Sequence, residues 1–528
     1  MTWSPRWLVV PALLGLCALS GLAAMSWSAW WWLLAAVFSG LAAVALRDLV
    51  QSHHAVLRNY PLLGHLRYAM EALRPELQQY FIERDHDGRP FNREARSIVY
   101  ERAKGTKDQD PFGTELNVYS PGSEHFVHSM APVATPETPP RVRVGDNRQA
   151  YDMALLNVSA MSFGSLSAEA ILALNSGAAA GGFAHDTGEG GMSDYHLRHG
   201  GDLVWEIGTG YFGCRTPNGD FAPDTFAAKA AHSSVRCISL KLSQGAKPGL
   251  GGVLPGNKVT AEIARARGVP QGQTVVSPSY HPVFRTPREL VQFLARLREL
   301  AGGKPTGFKL CVGSRREMLA VCAAMRAEDT TPDFIVVDGS EGGTGAAPLE
   351  FVDHLGTPLT EGLHIVHSAL RATGLRHRVA IGASGKIATG SDIVKRLVHG
   401  ADYTNAARPM MLALGCIQAQ RCHTNTCPVG VATQDPARGR ALDVDDKADR
   451  VQRFQRETVA SALQIMASMG VSAPSQLRGD MLRTRVDPHT VRSHAELYPA
   501  LESDQLLDNR APVAWQTEWH EADPDRFP

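Results

Sequence analysis

The sequence has no excess of either charge: 53 lysines and arginines stand against 53 aspartates and glutamates. Such a chain has no global field to draw it to nucleic acid or to an acidic partner. Disulfide patterning is missing too. Only eight cysteines occur in 528 residues, and Cys17, Cys214, Cys237, Cys311 and Cys322 are scattered, mostly in apolar or strand-like surroundings. Reduced core thiols in a reducing compartment are the expectation. No Gly-x-Gly-x-x-Gly opens a helix after the first candidate strand, so no dinucleotide-binding module for NAD(P)H is visible. Electrons must then come from a separate protein or from the membrane.

Long apolar runs are present at the start. Trp7 to Met25 and Trp27 to Leu46 are uncharged, and each is about the length of a bilayer-crossing helix. They meet at a tight turn crowded by Trp27, Trp30, Trp31 and Trp32, where an aromatic belt would sit. Arg6 precedes the first run, Arg47 and Arg58 follow the second, and the turn has no charge. The positive-inside rule predicts a two-pass hairpin in the cytoplasmic membrane with the rest of the chain in the cytoplasm. A cleaved signal peptide is the alternative, because LAAMS at 22–26 resembles a cleavage site, but it leaves the second run unexplained. The expected organisation is a hairpin over 1–50, a collar over 51–150, a catalytic domain over 151–430 and a helical extension with a tail over 431–528.

Apolar spacing predicts collar helices over 68–81, interrupted by Pro75, and over 90–104, with mostly loop from 105 to 140. From Tyr151 the pattern changes to short apolar runs, most followed by a glycine-rich turn and a helical stretch. The candidate strands cover 154–159, 182–185, 203–207, 237–242, 307–311, 334–337, 379–381 and 402–405. Eight strand–loop–helix units over about 250 residues indicate an α/β fold, a (β/α)8 TIM barrel, with a doubly wound sheet as the alternative. The glycine-rich turns follow the strands, at the barrel end that builds active sites. Helices are predicted over 446–470 and 495–507, docking on the barrel or on another subunit of a homo-oligomer. The tail from Asp508 reads as weakly ordered.

Several loops carry candidate chemistry. Ser384, Gly385, Lys386, Thr389 and Gly390 follow strand seven, and Asn405, Ala406, Ala407 and Arg408 end strand eight, where barrels often hold a phosphate. Lys386 or Arg408 would add charge for a monoester such as that of FMN. Lys241 ends a strand, and with Lys247 it brackets Gln244; a lysine there can stabilise a flavin anion or a substrate carboxylate. Glu189, between glycines, suits a general-acid or orienting role or a turn-stabilising bond, whereas Glu341 suits a structural one. Finally, Cys416, Cys422 and Cys427 are spaced C-x5-C-x4-C in a polar stretch and followed by Pro428. Thiolates bunched in a polar loop are the ligands of an iron–sulfur cluster, and three suggest [3Fe-4S], or [4Fe-4S] with an open iron. Zinc is the weaker metal alternative.

MSFGSLSAEA, DTGEGG, KLSQGAKPGLGGVLPGNKVT, EGGTGAAP and LALGCIQAQRCHTNTCPVGVATQ resemble the FMN-binding synthase domain of glutamate synthases over residues 150–470. The resemblance implies a (β/α)8 barrel holding FMN beside a [3Fe-4S] cluster. There, 2-iminoglutarate formed from 2-oxoglutarate and ammonia is reduced to L-glutamate. Carried over by motif, Cys416, Cys422 and Cys427 hold the cluster, and Ala160, Met161, Ser162, Lys241, Gly342, Gly343 and Gly385 contact flavin. Glu189, Lys241, Lys247 and Arg267 face flavin or substrate. No glutaminase domain precedes the barrel; Met1-Thr2 leads into the first apolar run. The family's GEGGQLPG reads GLGGVLPG, so Leu250 and Val253 replace polar residues, and its DGG and GFGT become Ser384 to Lys386 and Asn405 to Arg408. The chain is thus expected to be a short, membrane-tethered oxidoreductase served by an external donor, ferredoxin-like or in the membrane. A membrane-complex electron-transfer subunit with no substrate of its own is the alternative; a redox-neutral flavin isomerase fits the cysteines less well.

Overall fold

The computed structural model describes residues 5–106, 109 and 111–528. Met1, Thr2 and three positions of the 105–140 loop lie outside the described residues. The chain divides into two compact units at Gly88 and Arg89.

In the first unit, α1 (Val9–Ser26) and α2 (Trp31–Val50) pair as a hairpin. Small residues make the seam: Ala35, Ala42 and Ala45 are buried, and the Cys17 thiol donates to the Ala35 carbonyl at 3.3 Å. Leu14, Leu19, Leu22, Leu33 and Leu46 stay exposed. The apolar helical stretches Arg6–Ser26 and Trp31–Val50, of 21 and 20 residues, are long and apolar enough to cross a membrane. α3 (Leu63–Leu77) then runs through Pro75 and widens into a π turn at Gln78–Ile82, so this helix starts earlier than its periodicity predicts.

The second unit is a closed barrel of eight strands. They are β1 (Leu156–Val158), β2 (His185–Asp186), β3 (Leu203–Ile207), β4 (Val235–Lys241), β5 (Thr306–Leu310), β6 (Phe334–Asp338), β7 (Ala380–Ser384) and β8 (Tyr403–Ala406). Each overlaps a predicted run. Neighbours pair in parallel, and β8 closes on β1 through Thr404 and Leu156. Strands buried on both faces read as largely apolar runs, which is why LVWEI and FIVV were visible in the sequence. Side chains alternate in and out along each strand. Ala184, Val204, Cys237, Phe334, Val336 and Tyr403 pack with Val144 and Met153 of a short hairpin. This layer plugs the N-terminal end of the barrel and leaves the C-terminal mouth for chemistry. Gly208 to Gly213 does spell Gly-x-Gly-x-x-Gly after β3, but it leads into turns, with the next helix at Pro223–Ala230.

Outside the barrel, α4 (Arg93–Lys104) starts on an Asn92 side chain that accepts from the Ala95 N–H at 2.9 Å. It packs on the long helix Val444–Ser468, which also covers Ala168–Gly181 and Gly390–Val398. Two expectations for the C-terminus fail. The helix over 495–507 shrinks to His494–Leu497, because a residue before proline is driven out of the helical region, and Tyr498 before Pro499 sits at φ −130° and ψ 69°. The tail, read as weakly ordered, folds back as Val513–His520 and buries Trp515. Arg315 lies 4.4 Å over the Trp515 ring and pairs with Glu518 at 2.5 Å, while Arg288 pairs with Asp525 at 2.6 Å. The mixed charges that suggested disorder are tethers.

Candidate active site at the barrel mouth

The strand ends surround a cavity of about 280 Å³. Ala160, Met161 and Ser162 after β1, Glu189 after β2, Lys241 and Gln244 around the end of β4, Gly343 after β6, and Ala407 and Arg408 after β8 all line it. Lys247 and Arg267 reach it from the long insertion after β4. Gly342, Ser384, Gly385 and Lys386 do not line it, and of the three cysteines only Cys422 does. A larger cavity of about 1160 Å³ lies beside Arg376, His399 and Asp402 at the opposite barrel end, and it gathers none of these residues.

The centre of the mouth is an ion pair. Lys241 Nζ lies 2.8 Å from Glu189 Oε1 and donates to Gln244 Oε1 at 2.8 Å. Burial alone would raise the Glu189 pKa, but Lys241, with Arg267 and Lys247 behind it, pulls it down to about 2. Glu189 is therefore held as a carboxylate against Lys241 at neutral pH. Lys247 is buried, and burial followed by the charge of Lys241 lowers its pKa. Arg267 ends the helix Ala261–Arg267, donates Nη2 to the Phe163 carbonyl at 3.2 Å and lies 5.0 Å from the Phe212 ring centre, with its Nε left without a partner. Burial brings it down to about 10.

On the β7–β8 side, Lys386 takes φ 49°, a left-handed conformation that a residue with a Cβ adopts only under constraint. Arg408 donates Nη2 to the Glu341 carbonyl at 2.9 Å and lies 5.0 Å over the Phe91 ring. Burial lowers both cations, and Arg408 lowers Lys386 further. Gly343 is needed here, since a Cβ would fall 2.5 Å from Arg408 Nε. Cations of this kind are donors that a phosphate monoester uses. The Glu341 carboxylate is engaged by the Leu359 N–H at 2.9 Å and by Arg396 at 3.5 Å, a structural role.

Cys416, Cys422 and Cys427 are all free, in a loop where Gln418, Gln420 and Asn425 take positive φ. The Gln418 N–H donates to Cys416 Sγ at 3.4 Å, and the buried Lys258 donates to the Cys422 carbonyl at 2.8 Å. Burial pushes the Cys416 thiol up to about 12 and raises Cys422 as well, so metal must displace their protons. Among the described residues no three His, Cys, Asp or Glu side chains gather as a single-ion site.

Sequence reading missed four features. The collar, given no chemistry, fastens the cysteine loop: Tyr100 donates its hydroxyl to the Cys416 carbonyl at 2.7 Å, and the Phe91 N–H donates to Gln418 at 3.1 Å. Lys258, inside the GNKVT stretch, was not singled out. His281 donates Nε2–H to the Lys241 carbonyl at 2.8 Å while Nδ1 accepts from the Tyr211 hydroxyl at 3.1 Å; burial lowers it to about 4, which keeps it neutral. Inside the barrel, Glu206 on β3 and Lys309 on β5 form a buried ion pair lining the cavity, with Asp186 close enough to interact. Their only sequence signal was a charge inside an otherwise apolar strand.

Burial, then the charge of Glu206, raises the Asp186 pKa to about 8. The native protein keeps this proton above the unfolded value near 4, so unfolding releases it and stability falls as pH rises from about 4 to about 8. Asp186→Asn should flatten that part of a Tm-against-pH profile; an unchanged slope would contradict the raised pKa.

Residues 141–472 match the family model for the conserved region in glutamate synthase. The glutamate synthase large subunit-like protein YerD of Bacillus subtilis is 36% identical over 475 residues, covering 82% of this chain and 90% of that protein. The archaeal glutamate synthase (NADPH) of Methanocaldococcus jannaschii is 33% identical over 328 residues, 62% of this chain and 61% of that protein. Among solved structures, flavocytochrome b2 with sulfite bound aligns at a TM-score of 0.44 and 12% identity, over 90% of this chain and 97% of that one. With more than half its length inside the family model, the chain belongs to the glutamate synthase family and is an oxidoreductase of the class acting on CH–NH2 donors.

Proposed function

We propose that the mouth holds FMN beside an iron–sulfur cluster and carries out reductive amination of a 2-oxoacid, with 2-oxoglutarate plus ammonia to L-glutamate as the model. The observation that carries this reading is that Glu189, Lys241, Lys247 and Arg267 share one cavity wall with Cys422. Bound FMN would supply an electron pair as hydride, and a cluster the single electrons that restore it. Arg408 and Lys386 would hold the flavin phosphate, and Cys416, Cys422 and Cys427 the iron. Lys247 and Arg267 would bind the substrate carboxylate. Lys247, whose proton is loosened by burial, would protonate the neutral imine nitrogen, and the ionised Glu189 would stabilise the resulting iminium, whose carbon then takes the hydride to give CH–NH2. We further propose that α1 and α2 anchor the chain in the membrane with the catalytic unit on the cytoplasmic side, and that the donor is a ferredoxin-like protein or a membrane redox carrier. A second reading, electron transfer without amination, is favoured by Leu250 and Val253, which leave apolar surface 40% and 51% exposed in the insertion at the mouth. The two part in one experiment: flavin reduced without oxygen is mixed with 2-oxoglutarate and ammonium. Reoxidation that needs both supports amination, and reoxidation by a quinone alone supports the second reading.

A further inference from the structure

The first unit contains a helix whose apolar face stays bare. In α3, Leu63, Leu66, Met70, Leu73 and Leu77 share one face at alternating spacings of three and four, and Tyr80 and Phe81 extend the row into the π turn. Every residue from His65 to Gln78 is exposed, and Leu63 and Phe81 reach 73% and 81%. A lone helix of 15 residues is marginal in water, because helices in proteins draw most of their stability from burying an apolar face. This helix has such a face and shows it to solvent.

The start of α3 is tied to the end of α2. The buried Asp48, in the last turn of α2, accepts from the Leu62 N–H at 3.0 Å and pairs with His65 Nε2 at 2.9 Å. Gly64 is pressed against the short helix Ala55–Asn59, where a Cβ would fall 2.8 Å from Leu57 Cδ2. The stripe therefore begins where the apolar run of α2 gives way to Arg47 and Asp48, the level at which a bilayer-crossing helix leaves hydrocarbon for headgroups. Arg67 and Arg74 follow Leu66 and Leu73 and border the stripe, as cations do that reach lipid phosphate while their stems lie along acyl chains. A coiled coil with a second copy would use the same spacing. Fifteen residues make only about two heptads, though, and Pro75 and the π turn interrupt the seam.

We propose that α3 lies in the plane of the membrane surface, with its stripe sunk between the lipid headgroups and acyl chains and its polar side toward water. This rests on the reading of α1 and α2 as a membrane hairpin. Under that reading the hairpin holds the chain in the bilayer, and α3 fixes the direction in which it leaves. Asp48 sets one end of the helix, and Tyr80 and Phe81 set the other with aromatic rings suited to the headgroup level.

The test is photocrosslinking of the full-length protein in nanodiscs of phosphatidylcholine and phosphatidylglycerol. The photoreactive residue p-benzoylphenylalanine is placed in turn at Met70 on the stripe, at Phe81 near its end and at Ala72 on the opposite side. The proposal expects lipid adducts, read by mass spectrometry, at Met70 and Phe81 and their loss at Ala72. Adducts to a second copy, adducts to residues 89–528, equal lipid labelling at all three positions or no labelling at any of them overturn it. A second measurement covers a probe that disturbs the helix. Amide hydrogen exchange over 63–82 in the same nanodiscs is slow in the parent and speeds up when Leu66→Asp is combined with Leu73→Asp. Exchange as fast in the parent as in that variant overturns the proposal as well. Alkaline carbonate separates the two readings. A protein that stays in the membrane but fails these tests loses only the surface helix, whereas one that washes off loses the hairpin and the surface helix together.

Discussion

If the proposed cluster is held by these cysteines, Cys422→Ser should abolish its iron–sulfur EPR signal and stop electron delivery from the donor to the flavin. Cys422 is the central cysteine of the three and the one on the cavity wall, and Lys258 fixes its backbone at 2.8 Å. Soft thiolate donors hold iron–sulfur cores, and a serine oxygen is a poor substitute, so the signal should disappear rather than weaken. The flavin remains reducible by dithionite in this variant, and its reaction with substrate persists. That separation distinguishes loss of the cluster from collapse of the mouth. An unchanged EPR spectrum would show that Cys422 is not a ligand.

Arg408→Ala combined with Lys386→Met should release FMN during ordinary dialysis. Each charge-assisted bond to phosphate contributes about 1.5–3 kcal/mol, so one substitution weakens FMN binding about 10- to 150-fold and the pair more. Arg408 gives the larger single effect because it lines the cavity and also packs over Phe91. Flavin fluorescence in the ultrafiltrate reads the dissociation constant. Full retention of FMN by the double variant would move the phosphate away from β7 and β8.

The barrel was legible because parallel strands are buried on both faces and leave largely apolar runs, and because the turns after them must be glycine-rich to leave a mouth. The cysteine loop was legible because no core segment is that polar. Glu206 and Lys309 could not be placed in the same way. One charge inside LVWEI and another inside TGFKL, 103 positions apart, meet only when β3 and β5 enter the same closed sheet. The support of the cysteine loop was hidden for a related reason. Tyr100 reaches Cys416 across 316 positions, and nothing in PFNREARSIVYERAK announces a partner so distant. At the C-terminus local composition misled. The stretch after Ala495 has helical spacing, but Pro499 breaks it, and the charges of the tail find Arg288 and Arg315 on the barrel's outer helices.

One measurement bears on the central claim most directly. The flavin-loaded protein, chemically reduced without oxygen, is mixed with 2-oxoacid and nitrogen-15 ammonium, and labelled amino acid is counted against flavin reoxidised. The account predicts one labelled amino group per electron pair lost from the flavin, with no reoxidation when ammonium is left out. Flavin that stays reduced with every oxoacid and ammonium, yet is oxidised at once by a quinone, would contradict it.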